Sequence, residues 1–404
     1  MRGCRAMTDD ATVAKFRKDV ETCFGTSCNF CEKDCPVYKV KKDKTYTSRG
    51  KNRTILGVLE GKVQPSEELA KLFYTCLLCG SCDARCAMEN NKRFKEMRQV
   101  LVKRGLQRKE HQDLIEAIKG TGDIYGRKID LAKRFGDEPK VAEGAEVKTE
   151  VAATVMPLYI GCQYKDSAED VKAVVKVLNA CGIKPKIGDE YCCGFVADAL
   201  GFEDDFKQIK QKNREVVTYS DFITVCPSCT HYFRTEYSLN PKHVLSVVVE
   251  NLDKLKWKRP RGADGKKLRV TYHDPCDLGR RLKMFDEPRK ILQAMGVELV
   301  EMKNNRAFSV CCGAGGGILS TDKELSREMA KNRMRQAADT GAEAVVTCCP
   351  TCELSLLRGS LAVGKERGRK QEVIGLYRFM ADHLKGRKPD VVSGGPGVTA
   401  GAGP

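Results

Sequence analysis

Cys276, the adjacent pair Cys311-Cys312, and Cys349 with Cys352 put five thiols into three separated stretches of this chain. Local structure cannot join them, so they act together only if the fold makes them converge. The same order occurs once before: Cys162, then Cys192-Cys193-Gly194, then Cys226-Pro227-Ser228-Cys229. Each copy also carries Lys-Asn-Arg, at Lys212-Asn213-Arg214 and Lys331-Asn332-Arg333, with the Asn twenty residues past the second Cys of the pair. This is an internal duplication. Five thiols are one more than a zinc site or a cubane cluster uses, and a thioredoxin-like Cys-x-x-Cys has no need of the adjacent pair. Neighbouring Cys residues fit two corners of one compact cube poorly. They can serve neighbouring irons of an opened cluster, with one thiolate bridging.

A second set of thiols lies nearer the N-terminus. Cys23, Cys28, Cys31 and Cys35-Pro36 form C-x4-C-x2-C-x3-C-P, and Cys76, Cys79, Cys82 and Cys86 form C-x2-C-x2-C-x3-C. This is the bacterial ferredoxin pattern, in which three closely spaced thiolates wrap one face of a [4Fe-4S] cubane and the fourth corner is filled from the other run. The expected sets are therefore Cys23, Cys28 and Cys31 with Cys86, and Cys76, Cys79 and Cys82 with Cys35. The first run departs from the pattern, with four residues between Cys23 and Cys28 where two are usual. Zinc is the competing metal, but two four-thiol runs, the first closing on Cys-Pro, match paired cubanes better.

The elements that must hold these thiols can be read from periodicity. Pro65-Ser66-Glu67-Glu68 followed by Leu69, Leu72 and Phe73 predicts a capped helix leading into Cys76. In the first repeat, Val155 to Ile160 predicts a strand running to Cys162, with Pro157 marking an edge or irregular strand. Ser167 and Asp170 resemble a capping box for a helix whose buried face is Val171, Val174, Val175 and Leu178, stopped at Gly182. Phe222 to Val225 is a second strand, delivering Cys226. The second repeat follows suit, with strands Leu268 to His273 and Ala344 to Thr347 around a helix after Pro288 that stops at Gly296. Thiols at the carboxyl ends of strands belong to a doubly wound α/β arrangement.

The chain has 404 residues and 21 Cys. The N-terminal residues lack a signal-peptide core and no window is apolar enough for a membrane span, so a cytoplasmic protein with reduced thiols is expected, peripheral to a membrane only through a partner. The net charge of +17 is spread along the chain among 54 acids. It reads first as a solvated basic surface, then as a surface for an anionic substrate or acidic partner, and last as a nucleic-acid surface, since no aromatic stacking platform or single basic face is visible.

With these residues in view, both repeats resemble the Cys-Cys-Gly domain family, and the chain from Cys23 to Cys352 resembles the fused catalytic subunits of heterodisulfide reductases. The resemblance implies an α+β protein with a helical two-[4Fe-4S] ferredoxin-like module over 21–108 and duplicated α/β Cys-Cys-Gly domains over 153–250 and 268–390. Composition sets around them a polar lead-in over 1–20, a charged, Gly-interrupted linker over 109–152 with a helical look around His111 to Lys119, an exposed basic connector over 251–267, and a Gly- and Pro-rich tail over 391–404 expected to be disordered. It implies one noncubane [4Fe-4S] cluster on Cys162, Cys192, Cys193, Cys226 and Cys229, and another on Cys276, Cys311, Cys312, Cys349 and Cys352. A substrate disulfide would be cleaved between the two clusters, with electrons arriving through the two cubanes. Gly194, Gly313, Gly315 and Gly316 would let backbone approach cofactor or substrate closely.

Relatives often carry a His after the lone Cys, where this chain has Asp277, and the first repeat has Phe195 where a Gly run would match. His273 and His231 could protonate a product thiolate, although a supporting hydrogen-bond role is the simpler one. Cys348 competes with Cys349 for a ligand position, and Cys349 keeps the Cys-Pro-x-Cys register. Cys4 and Cys181 have no assigned role. The expected activity is reduction of a coenzyme M-coenzyme B type heterodisulfide in a methanogen or other anaerobe, with an electron-delivering subunit (flavoprotein, hydrogenase-type or cytochrome b) as partner. The alternative is an electron-transfer subunit of a flavin-linked 2-hydroxy acid or glycerol 3-phosphate oxidase, or of a membrane sulfur-metabolism complex.

Overall fold

The structure, a computed structural model, describes residues 10–135 and 154–385. The N-terminal part is helical. The helix Glu67–Tyr74 starts at Ser66, whose side chain accepts the Leu69 N–H at 3.2 Å, a cap of the kind that contributes about 1 kcal/mol. It buries Leu69, Ala70, Phe73 and Tyr74 and hands the chain to Cys76. Against it packs Asn90–Lys103, with Phe94, Met97, Val100 and Leu101 inward.

The lead-in expectation fails for its second half. Helices Ala11–Ala14 and Arg17–Gly25 place Val13, Phe16 and Val20 in this same core, a three-then-four spacing that marks one helical face. Cys4 lies outside the described residues.

Two parallel sheets make up the rest. The strands β1 (Thr154–Tyr159), β2 (Ile183–Ile187), β3 (Asp221–Thr224) and β4 (Asn240–His243) lie in the order β2-β1-β3-β4. The strands β5 (Arg269–Tyr272), β6 (Glu298–Leu299), β7 (Ala344–Thr347) and β8 (Glu372–Gly375) repeat it as β6-β5-β7-β8. All pairings are parallel, which helical crossovers require.

β1 is an interior strand, contrary to the edge reading of Pro157. Its pairing with β3 begins only at Leu158, so Pro157 sits where β1 has β2 alone as neighbour and its missing N–H leaves the β3 ladder intact. The helix Ala168–Ala180 is capped by Ser167, which accepts from the Asp170 N–H at 3.3 Å. Val171, Val174 and Leu178 are buried and Val175 is packed beside them.

The two domains share one core. Ala168–Ala180 packs on Leu376–His383, and Val244–Glu250 packs on Glu287–Met295, joining the β1–β4 and β5–β8 halves through Val174, Val248, Leu292 and Met380. The connector expected to be exposed contributes to it, with Leu255 and Trp257 buried in that core. The segment read as a linker carries the helix Lys109–Thr121, which buries His111, Ile115 and Ile118. Residues 136–153 and the tail expected to be disordered, 391–404, lie outside the described residues. No helix among those described is long and apolar enough to cross a membrane.

Candidate metal centres

The strands deliver the thiols. Cys162 follows the end of β1, Cys226 follows β3 and caps the helix Pro227–Thr235, and Cys192-Cys193 arrive in the loop after β2. In the second domain Cys276 follows β5, Cys349 follows β7 and caps Pro350–Arg367, and Cys311-Cys312 arrive after β6. Pro227 and Pro350 occupy the first helical turn, where a missing N–H costs nothing. In each sheet the chain leaves the two central strands towards opposite edges, and the crevice at such a switch point is where open α/β sheets hold ligands.

Within each domain the thiols form one continuous array. Cys162 meets Cys192, which meets Cys193, which meets Cys229, which meets Cys226. The second array runs Cys276, Cys311, Cys312, Cys352, Cys349. The second Cys of the pair is pushed towards the thiolate in both. The Cys192 thiol donating to Cys193, with Cys229 adding to it, holds Cys193 down at about 6; the Cys311 thiol does the same for Cys312, holding it well below the usual thiol range. Backbone is fixed alongside: Tyr237 Oη donates to the Cys193 carbonyl at 3.1 Å, and Ser355 Oγ to that of Cys312 at 2.8 Å. Five converging soft donors suit iron held with sulfide, whereas zinc takes four. Next to the second array, the buried Nε2 of His273 has no hydrogen-bond partner, and a ring nitrogen of His273 and the sulfurs of Cys312 and Cys352 lie within 4.8 Å of one another.

The surroundings of the arrays differ. Three residues before Cys276 stands His273, whose Nδ1 accepts from Arg333 Nε at 3.0 Å; burial pushes that guanidinium down to about 10. Three residues before Cys162 stands Tyr159, whose hydroxyl donates to the Tyr191 carbonyl at 2.7 Å. The repeated Lys-Asn-Arg is used unequally: Asn213 is buried and donates to the carbonyls of Tyr191 and Cys192, whereas in the second copy it is Arg333 that is buried.

Among the N-terminal thiols, Cys35, Cys76, Cys79 and Cys82 line a single cavity with Leu77 and Ser81, the set expected from the crossed pattern. Arg49 draws the other run together, donating to the carbonyls of Cys23 at 3.1 Å and Cys28 at 2.9 Å while its backbone N–H reaches Cys31 Sγ at 3.4 Å. Cys86, the expected fourth member, accepts from the Met88 N–H at 3.5 Å. Cys79 is also hydrogen-bonded by Cys311, which with the nearby Arg280 holds it down at about 5. The helical module therefore abuts the second array.

Three arginines that sequence reasoning passed over make this junction. Arg98, fully buried, donates to the carbonyls of Phe73, Cys76, Ala199 and Gly316. Arg280 Nε donates to the Cys79 carbonyl at 2.5 Å, and Arg281 Nη2 to that of Leu78 at 3.3 Å. The signal for the last two was their place four and five residues after Cys276. Gly316, expected at a cofactor, has φ +64° and a Cβ there would lie 2.5 Å from the Cys76 carbonyl oxygen. Its glycine serves the docking of the helical module. Gly315 lies against Leu77, Gly313 against Met329 and Ser326, and Gly194 against Phe206. The glycine that approaches thiols is Gly161, φ +84°, where a Cβ would stand 3.2 Å from Cys229 Sγ.

Cys348 turns away from the array, its Sγ 3.3 Å from Tyr272 Oη, and Cys181 closes a helix in the shared core. His231 does not join a thiol array; with Lys95, Glu89, Glu236, Arg281 and Cys86 it lines a cavity of about 440 Å³ where the three modules meet. Asp277 bridges the domains, accepting from Ser228 Oγ and, at 2.8 Å, from Arg281 Nε.

Comparison with known proteins agrees with this layout. Residues 157–234 and 270–357 match the model of the Cys-Cys-Gly cysteine-rich domain, and 19–90 match that of the 4Fe-4S dicluster domain. The chain is 28% identical over 381 residues to the D subunit of the dihydromethanophenazine:CoB-CoM heterodisulfide reductase of Methanosarcina acetivorans, covering 84% of this chain and 89% of that one. It is 27% identical over 345 residues to the B subunit of the fumarate reductase (CoM/CoB) of Methanothermobacter marburgensis, covering 81% and 66%. To the EtfAB:quinone oxidoreductase of Syntrophomonas wolfei it is 29% identical over 329 residues, 74% of this chain and 45% of that protein. The duplicated parallel sheets and their repeated thiols are a pair of Cys-Cys-Gly domains behind a 4Fe-4S dicluster region, and the chain is an iron–sulfur oxidoreductase distantly homologous to the D subunits of heterodisulfide reductases.

Proposed function

We propose that this chain is the catalytic subunit of a disulfide reductase, acting on a coenzyme M-coenzyme B type heterodisulfide at two noncubane [4Fe-4S] clusters fed by two cubanes. The observation that carries this is that both five-thiol sets are complete and each forms an unbroken array. Bound there, the clusters would supply single electrons and iron sites for sulfur. The protein's part is to gather ten thiolates from strand ends, loops and the first turns of helices, to fix their spacing through the shared core, and to admit substrate. Two bonds across the domains support the fixed spacing: Tyr164 Oη donates to the Cys348 carbonyl at 2.9 Å, and Tyr377 Oη to that of Val225 at 3.1 Å. The cavity at the module junction sets Lys92, Lys95 and Arg281 against Asp83, Glu89 and Glu236 in its wall, a mixed lining that offers a polar substrate both signs of charge. Electrons would come from a partner subunit, flavoprotein, hydrogenase-type or cytochrome b, entering at the dicluster region.

Asp277 favours a second reading. A carboxylate between Cys226 and Cys276 opposes the build-up of product thiolates there, and an electron-transfer subunit of a flavin-linked oxidase would not need to tolerate them. Anaerobically purified protein supplied with a strong one-electron donor decides between the two. Reduction of the heterodisulfide to two thiols supports the first; absence of turnover, with rapid cluster reduction by a flavoprotein partner, overturns it.

A further inference from the structure

We propose that His273 donates a hydrogen bond from Nε2 to the Cys312 sulfur of the second centre, making that centre the more readily reduced of the two and the first to receive electrons from the dicluster region. The proposal rests on the reading that both five-thiol sets hold clusters.

The ring's tautomer follows from its neighbour. Arg333 Nε donates to His273 Nδ1 at 3.0 Å, and a guanidinium offers donors but no acceptor. Nδ1 must therefore be the unprotonated nitrogen, and the proton sits on Nε2. The His273 side chain is about 1% exposed, its Nε2 is left without a partner, and its ring clusters with the sulfurs of Cys312 and Cys352, Cys312 being the thiol it can hydrogen-bond. An N–H aimed at a ligand sulfur stabilises the more negative, reduced form of a cluster and raises its potential.

Charge acts in the same direction. The buried guanidiniums of Arg333 and Arg280 lie near the second array. Two other arginines are occupied by carboxylates: Arg289 with Asp274, and Arg281 with Asp277. Beside the first array the buried cation is Lys165, and Glu190, 3.9 Å away with its side chain also buried, offsets it. Tyr159, at the place of His273, has spent its hydroxyl on the Tyr191 carbonyl, and Asn213, in the repeat that supplies Arg333, is neutral. Cys79 of the dicluster region touches Cys311, so the electropositive centre is also the one electrons meet first.

The test is a potentiometric titration of the full-length holoprotein followed by electron paramagnetic resonance, after iron and sulfide have been counted for each variant. His273→Phe is expected to lower the potential of one C-terminal centre, changing its reduced-to-oxidised ratio by about tenfold or more, ~59 mV for a one-electron couple, and to leave the other centre unmoved. His273→Gln, which keeps an N–H donor, should recover most of the shift, and Tyr159→Phe should move neither centre. Full cluster loading with both potentials unmoved in His273→Phe, or equal shifts at both centres, overturns the proposal alone. Protein that takes up iron only in the dicluster region overturns the cluster reading and this proposal with it.

Discussion

The two Cys-Cys-Gly domains share a sheet order and a thiol order, yet what stands beside the thiols differs at nearly every matched position. Where the first has Tyr159 and Phe195, the second has His273 and Ala314-Gly315-Gly316, and of the shared Lys-Asn-Arg the first buries Asn213 and the second Arg333. Two of these differences serve an interface. The glycines let the dicluster region sit against Cys311, while Phe195 packs edge-on to Tyr232 and under the Arg281 guanidinium. Duplication supplied two equal scaffolds, and the second was fitted to receive electrons.

The strongest way to break this comparison is to remove one centre at a time. Cys312→Ser should lose one cluster's iron and also stop electrons reaching the first centre, lowering turnover by more than the ~10–100-fold typical of losing a supporting partner. Cys193→Ser should lose the same iron yet leave the second centre reducible by the donor. Rapid-mixing absorbance with iron counts separates the two, and equal behaviour would mean that electrons do not enter through the second domain.

Arg98→Met should come next. It strips a donor from four carbonyls at the junction, and unpaired buried acceptors cost about 1–3 kcal/mol each. Thermal unfolding should show the helical module melting ahead of the sheets. Gly316→Ala forces a side chain into a left-handed position facing Cys76, at about 1–3 kcal/mol, and should loosen the same junction. Gly161→Ala, less crowded, should instead lower iron loading of the first centre. The smallest effects belong to Tyr164→Phe and Tyr377→Phe, each about 1 kcal/mol for one hydrogen bond. Equal losses in denaturant melts indicate domains held symmetrically, and a large inequality contradicts that.

Much of this was legible from residues. The strands that lead to Cys226, Cys276 and Cys348 and the caps at Ser66 and Ser167 announce themselves through short apolar runs and local hydrogen-bonding side chains, which depend on neighbours in the chain. What escaped depends on distant partners. Pro157 looked like an edge residue because nothing local tells how far β3 extends. The helical look of His111 to Lys119 was legible, but its packing was not, because the buried His111 gains meaning only against Gly317, whose carbonyl lies 3.2 Å from His111 Nε2. The glycines were legible as a need for close approach, but not for what approaches. The Lys-Asn-Arg repeat was visible, while the change of buried residue from Asn213 to Arg333 was not, since one position of slip in a helix is invisible to a motif.

Counting iron and acid-labile sulfide in anaerobically reconstituted full-length protein tests the convergence of the ten C-terminal thiols most directly. The arrays predict about sixteen irons and as many sulfides per chain, four [4Fe-4S] groups, with loss of about four in either Cys193→Ser or Cys312→Ser. About eight irons, unchanged by those substitutions, with zinc or free thiols in the two sheet domains, would contradict it.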